Sequence, residues 1–264
     1  MEFEGLPEGC IASILSRTTP ADVCRFCIVS KTFYSAAESD AVWETFLPSD
    51  IHSIISQSPS PLHFSSKKAL FLALSHRPIL IDQGKKTFQL DTKTGNKCYM
   101  LSARALTVVW ADTPHYWNWT THPHSRFPEV AELRDVCWLE IRGVLNCLAL
   151  SPNTQYAAYL VFKLIDARGF ENRPVELSVN IFGGKGSTKN VCLCPNVEGL
   201  RASRVQGLPT PNVRSDGWWE IEMGEFFNAG LEDEVQMSVM EIKGGNWKRG
   251  LFVEGIEVRP QEQN

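Results

Sequence analysis

The densest group of aromatic side chains lies in the stretch LTVVWADTPHYWNWT, residues 106–120. It contains Trp110, Tyr116, Trp117 and Trp119, although the whole chain has only 8 tryptophans. Indoles are large and carry an N–H group that needs a partner when buried, so a core strand rarely holds three so close together. Flat aromatic faces beside polar side chains suit sugar rings, which stack through C–H bonds and bind through hydroxyls. The stretch therefore predicts a carbohydrate-binding edge of a β-domain.

Strand parity narrows this aromatic group. Trp117 and Trp119 are two residues apart, so they should face the same way in an extended segment, while Tyr116 should point into packing. Trp110 lies before the turn ADTPH, where Pro114 redirects the chain, and it can still join them. We expect a site built on Trp110 and Trp117, with Trp119 as a helper.

Motifs for catalysis are missing from the sequence. There is no GxSxG nucleophile elbow, and the segment GGKGST at residues 183–188 lacks the spacing of a phosphate-binding loop. His122 and His124 flank a proline without a third ligand nearby, and the pair Cys24 and Cys27 has no second CxxC to complete a zinc site. We expect no catalytic residue, no metal and no cofactor in this chain.

Composition limits the partners and the compartment. The net charge is −4 with no basic stripe, which argues against nucleic acid. The longest apolar run, residues 69–74, is far shorter than the roughly 20 residues of a membrane span. The acidic start MEFEGLPEG does not look like a signal peptide, and the eight cysteines lie mostly in apolar patterns typical of reduced thiols. These features predict a protein of the cytoplasm or nucleus without a membrane partner.

The first 47 residues have the pattern of short helices. Pro7 fits the first turn of one helix, and Thr19 followed by Pro20 marks the start of the next. Ser30 can cap a third helix, and Ser39 or Asp40 a fourth that ends before a proline. A bundle of about 50 residues is marginal alone and tends to gain stability from a partner.

These helices resemble the F-box, the helical motif that docks onto the Skp-type adaptor of cullin-RING ubiquitin ligases. The similarity is carried by LPEGCIASILS, TPADVCRFCIVSKTFYSAA and SDAVWETFLPSD, in that order. The resemblance implies a set of residues that form adaptor-facing and core surfaces. They are Leu6, Pro7, Ile11, Ile14, Leu15, Val29 and Phe33.

The remainder changes from a helical to a strand pattern. Residues 51–85 look like a Ser- and Pro-rich linker with one helix, which Ser65 or Ser66 can cap. Several strand patterns follow without long helices between them, among them PVELSVNIF, which alternates apolar and polar residues. We expect a mainly β protein with a small helical N-terminal domain, in which an antiparallel, jelly-roll-like β-sandwich follows the helices. The expected domains are residues 1–50, the linker 51–85 and the sandwich 86–264.

The sandwich region resembles the phloem protein 2 family, plant lectins related to the tobacco agglutinin of the Nictaba type. The similarity is carried by ARALTVVWADTPHYWNW, FPEVAELRDVCWLEIRG, LSPNTQYAAYLVFKL, RSDGWWEIEMGEFFN and VMEIKGGNWKRGLFVEGIEVRP. The resemblance implies a fold like carbohydrate-binding modules, with Trp110 and Trp117 as sugar-binding residues and acids near the C-terminal strands assisting. Glu234 and Glu241 match those acids by position. The implied ligand is N-acetylglucosamine in oligomers or in glycoproteins.

The two resemblances together predict a substrate-recognition subunit of an SCF-type (Skp, cullin, F-box) ubiquitin ligase that selects glycosylated targets. Two alternatives stay open. In one, the adaptor role is kept but the sandwich recognises a protein surface without sugar. In the other, the chain is a phloem lectin outside any ligase, and its helices only pack on the sandwich.

Overall fold

The structure is a computed structural model that describes residues 6–60, 63–171, 173–181, 186–194 and 205–261. The chain divides into two compact units, one of residues 1–83 with 88–98 and the other of residues 84–87 with 99–264. Residues 51–83 of the expected linker therefore group with the N-terminal helices, and residues 88–98 group with them too. Among the described residues, no helix is long and apolar enough to cross a membrane.

The first unit contains six helices in its described part. They are α1 (Glu8–Leu15), α2 (Pro20–Phe26), α3 (Lys31–Glu38), α4 (Asp40–Glu44), α5 (Ile51–Ser56) and α6 (Lys67–His76). The sequence pattern predicts a single helix between residues 51 and 85, which is α6, and the structure adds α5 before it. Ile51 and Ile54 of this helix are buried, so tertiary packing stabilises a segment too short to fold alone.

Side-chain caps start three of these helices where the sequence predicts them. The hydroxyl oxygens of Thr19, Ser30 and Ser66 each accept a backbone N–H three residues later, at 3.1 to 3.2 Å. Trp43 lies at the centre of the unit, where its Nε1 donates to the carbonyl of Ala37 at 2.6 Å. Its ring lies 5.2 Å from that of Phe71, so α4 and α6 pack through aromatic contact.

Fourteen strands lie in the described residues. They are β1 (Ile79–Ile81), β2 (Lys86–Leu90), β3 (Lys97–Ser102), β4 (Thr107–Val108), β5 (Trp117–Thr120), β6 (Val130–Leu133), β7 (Leu139–Asn146), β8 (Thr154–Arg168), β9 (Val175–Ile181), β10 (Ser187–Val191), β11 (Asn212–Val213), β12 (Trp219–Asn228), β13 (Glu234–Glu241) and β14 (Arg249–Pro260). β2 and β3 form a hairpin whose turn includes Gly95, and the φ of 77° at this residue suits glycine.

The second unit is an antiparallel β-sandwich, as expected. One sheet has the order β3-β14-β8-β12-β11, with β6 paired to β14 and β5 paired to β6. The other sheet has five strands in the order β10-β9-β13-β7-β4. A Cβ added at Gly143 of β7 would lie 2.9 Å from Leu106 and 3.3 Å from Ile256 of β14. Glycine is needed there because the two sheets pack closely at this point.

A network of ion pairs lies on the larger sheet, and it is built from three arginines. Arg126 binds Glu257 at 3.2 Å, and Arg259 binds Glu220 at 2.7 Å. Arg214 contacts both Glu257 and Glu220. Burial opposes ionisation of Glu257, but the three guanidinium groups lower its pKa below the ordinary glutamate value.

Replacing Glu257 with glutamine is expected to lower the free energy of unfolding by about 3 kcal/mol at pH 7, because it removes the one carboxylate that all three partly buried arginines share. A lowered pKa means that the ionised carboxylate stabilises the fold above its unfolded pKa, and that this contribution is lost as the pH falls through the folded pKa. The difference between wild type and Glu257→Gln should therefore shrink as the pH falls below the ordinary pKa of a glutamate, and urea unfolding at several acidic pH values measures it. A difference that grows on acidification would contradict this role.

Candidate functional site

Trp117 is a core residue, which corrects its expected role in a sugar-binding platform. Its side chain is only 2% exposed, and its Nε1 donates to the carbonyl of Val109 at 3.1 Å. The indole thus holds the 109–116 turn against β5 and has no free face for a ligand.

Trp119 points to the same turn, because its Nε1 donates to the carbonyl of Ala111 at 3.3 Å. The shared orientation of the two indoles confirms the parity argument. Trp119 is half-buried, and the guanidinium of Arg104 lies 3.7 Å from the ring centroid. Glu129 pairs with Arg104 at 2.8 Å, which holds the cation over the indole. Trp119 can therefore offer a ligand only the part of its surface that Arg104 leaves open.

Trp110 is the exposed member of the aromatic stretch. Its side chain is 44% exposed, and its φ of 63° turns the chain sharply before residue 111. The ring of Tyr116 lies 5.4 Å from that of Trp110. Tyr116 is half-buried rather than wholly packed, so the accessible aromatic pair is Trp110 with Tyr116 and not Trp110 with Trp117.

Glu234 and Glu241 occupy the first and last positions of β13. Seven residues of extended chain separate them by roughly 23 Å, so they cannot contact one sugar ring together. Glu241 shares the inward parity of Val239 and forms a buried ion pair with Lys248, whose Nζ also donates to the carbonyl of Cys137 at 2.9 Å. The expected role of Glu241 in sugar binding is therefore replaced by a structural one. Glu234 is exposed at the opposite end of the strand.

Two exposed tryptophans were missing from the sequence expectation. Trp138 is 41% exposed and its Nε1 donates to Glu140 at 2.8 Å, while Trp247 is 55% exposed. In the segment VCWLEIRG, apolar Leu139 and Ile141 alternate with Glu140, which already places Trp138 on the outward parity of β7.

The helical unit exposes part of the expected adaptor-facing set. Ile11 and Leu15 are each 1% exposed, so they belong to the core and cannot contact a partner directly. Pro7 is exposed and Leu6 is half-buried. Ile14 and Val29 are 47% and 63% exposed.

Further apolar side chains, which the resemblance did not point to, extend this surface. Ile28 is 86% exposed, Tyr34 is 56% exposed and Phe26 is 40% exposed. The half-buried Phe33 has its ring 6.1 Å from that of Phe26. The sequence already indicated that Ile28 and Val29 are exposed. They follow the end of α2, so they are not part of the apolar face of a helix.

The histidines of the aromatic region pack against protein groups. The ring of His122 lies 4.9 Å from that of the buried Trp218, and burial together with Lys163 and His124 lowers the pKa of His122. In the part of the chain that the structure describes, no group of three or more His, Cys, Asp or Glu residues is arranged to hold a metal ion.

Comparison with known families matches one family to the helical N-terminal part of the chain and another to the β-sandwich part. The family model described as phloem protein 2 matches residues 96–260, and the F-box domain model matches residues 3–45. The chain belongs to the F-box proteins of the phloem protein 2 family. The exposed apolar side chains of α1 to α3 therefore lie in the F-box, and the aromatic stretch lies in the phloem protein 2 domain.

Relatives from Arabidopsis thaliana share both domains. F-box protein PP2-B10 is 47% identical over 98% of this chain and 94% of its own length. F-box protein PP2-B15 is 42% identical over 97% of this chain and 96% of its own length. Among solved structures, a family 35 carbohydrate binding module from Clostridium thermocellum aligns with 61% of this chain and 96% of its own, at 9% identity and a TM-score of 0.34.

Proposed function

We propose that this protein is the substrate-recognition subunit of an SCF-type E3 ubiquitin ligase. In this proposal the F-box binds a Skp-type adaptor, and the phloem protein 2 domain binds a glycoprotein that carries N-acetylglucosamine. The chain itself performs no catalysis, because ubiquitin transfer belongs to the cullin-RING partners. In this proposal the protein works in the cytoplasm or nucleus.

The observation that carries the adaptor role is the apolar surface of the F-box. We call it the docking surface and define it by Ile14, Phe26, Ile28, Val29 and Tyr34. All five are at least 40% exposed, and four of them lie within nine residues of sequence. Apolar side chains grouped in this way on a small unit are typical of a protein interface.

The adaptor role is tested by replacing Leu6 and Pro7 together with alanine. We expect co-purification with a Skp-type adaptor to be lost, because these residues open α1 at the N-terminal edge of the F-box. Thermal unfolding of the double variant serves as the control for folding. If the folded variant retains the adaptor as well as wild type does, the assignment of Leu6 and Pro7 to the adaptor contact is wrong.

The glycan role is supported by accessible aromatic surface in the phloem protein 2 domain. Trp110 and Tyr116 offer adjacent rings, and Trp119 of β5 binds the same turn through the carbonyl of Ala111. Stacking of a sugar on one such ring contributes about 0.5–1.5 kcal/mol, so several weak contacts are needed for measurable affinity. Glu234 stays a predicted polar contact, although its position at the far end of β13 separates it from Glu241 and its neighbours.

A second candidate function keeps the adaptor and replaces the glycan with a protein surface. It is favoured by the burial of Trp117 and by the ion pair of Glu241, because two of the five residues expected to hold sugar have structural roles. A glycan array separates the two candidates. Binding to N-acetylglucosamine oligomers supports the lectin role, whereas a silent array with intact adaptor binding supports protein recognition.

A further inference from the structure

A row of outward-facing side chains crosses the five-stranded sheet near its Glu241 end. The strand register places Asn190 beside Glu176, Glu176 beside Met240, and Met240 beside Glu140. All four have the parity opposite to the buried residues of their strands. Three strand spacings separate the ends of this row by roughly 14 Å, which is longer than one sugar ring.

A cavity of about 210 Å³ opens over one end of the row. Its lining includes Glu176, Asn190 and Met240 of the row, together with Arg173 and Lys243. The cavity is smaller than the roughly 300 Å³ at which pockets for drug-sized ligands begin, so it suits a single small ring.

The chemistry of the cavity suits a hydroxyl-rich ligand. Lys243 pairs with Glu176 at 3.7 Å, which compensates the carboxylate, and Arg173 adds a second cation to the lining. Carboxylate, amide and ammonium groups side by side match hydroxyls, which both donate and accept hydrogen bonds. Met240 adds an adaptable apolar surface for the C–H face of a ring.

Trp138 lies two residues before Glu140, on the outward parity of β7 at the other end of the row, and it is held in place there. Its Nε1 donates to Oε2 of Glu140 at 2.8 Å, while Arg142 binds Oε1 of the same carboxylate at 2.6 Å. The indole is nevertheless 41% exposed. A fixed and open aromatic face is well suited to stacking, because little side-chain entropy is lost on binding.

We propose that the row and the cavity form a cleft for an oligosaccharide. One ring lies over Glu176, between Asn190 and Met240, and a second ring stacks on Trp138. This inference rests on the proposed glycan role and assigns it a site apart from the aromatic stretch of residues 106–120.

The cleft is tested by isothermal titration of the full chain with N-acetylglucosamine trimer as the probe. Trp138→Ala is expected to weaken binding about tenfold through the lost stacking. Glu176→Gln keeps the shape of the cavity and is expected to weaken binding to a similar degree, because it removes a charged acceptor. Trp247→Ala is the matched control, since Trp247 is 55% exposed outside the row and should leave affinity unchanged.

The results of this titration distinguish failure of the cleft from failure of the proposed glycan role. Wild-type binding that neither Trp138→Ala nor Glu176→Gln weakens would overturn the cleft and leave the glycan role standing. An absence of binding by wild type to the trimer and to every sugar of a glycan array would overturn both. Loss of binding in both variants, with unfolding temperatures close to that of wild type, is the expected result.

Discussion

Trp117→Ala is expected to destabilise the β-sandwich by about 3–5 kcal/mol, a loss large enough to unfold a marginally stable domain. The side chain is 2% exposed, so its removal leaves a large cavity beside β5. It also leaves the carbonyl of Val109 without the indole N–H that it accepts at 3.1 Å. Urea unfolding followed by far-UV circular dichroism measures the change.

Trp110→Ala is the matched control for this prediction. Trp110 lies in the same stretch but is 44% exposed, so its replacement should change stability by less than about 1 kcal/mol. Trp117→Phe keeps one aromatic ring but loses the N–H and part of the buried volume, so it should cost about 2–3 kcal/mol, less than the alanine replacement. If Trp117→Ala instead unfolds like wild type and loses only sugar binding, the residue belongs to the ligand site.

The contrast between these tryptophans shows what strand parity can and cannot predict. Alternation correctly places Trp117 and Trp119 on one side of β5, because that depends only on local geometry. It does not say whether that side faces the ligand or the core. Whether that side is buried depends on the turn of residues 109–116, because its carbonyls accept the indole N–H groups. These are tertiary contacts, which alternation along one strand does not predict.

The burial of Glu241 could have been predicted from the alternation of apolar residues along β13. Val235, Met237 and Val239 alternate inward along β13, and continued alternation places Glu241 on the same buried side. Lys248, the partner that makes this burial possible, lies in a different segment. Pattern alone cannot supply such a partner, which is why the carboxylate looked available for a ligand.

Local rules predicted the helical caps more accurately than the extent of the helices. A Ser or Thr before an apolar periodic segment is a short-range signal, and Thr19, Ser30 and Ser66 all cap as expected. The six residues of α5 have no such cap and are held by the burial of Ile51 and Ile54. The fold class followed from the change of period from helix to strand, whereas the accessible part of the site required packing information.

Replacing Ile28 and Val29 together with glutamate is expected to weaken the affinity for a purified Skp-type adaptor at least about 100-fold. The two side chains are 86% and 63% exposed, so they contribute little to the helical core. Burial of each in an interface stabilises a complex by about 1.5–3 kcal/mol, and a loss of 2.8 kcal/mol is about 100-fold in the dissociation constant. Two carboxylates in an apolar contact also lose their hydration without gaining a partner, which weakens the complex further. Surface plasmon resonance with immobilised adaptor measures the effect.

Val213→Glu is the matched control for this double variant. Val213 lies in β11 and is 73% exposed, so the same change of an apolar side chain to a carboxylate is made outside the F-box. Its adaptor affinity should equal that of wild type, and both proteins should unfold within about 0.5 kcal/mol of wild type, because exposed positions tolerate substitution. Ile28→Leu with Val29→Ile retains apolar area and should keep binding. Equal binding by the glutamate variant would show that adaptor contact lies elsewhere on the F-box, since the side chains that solvent reaches most easily would then be irrelevant to it.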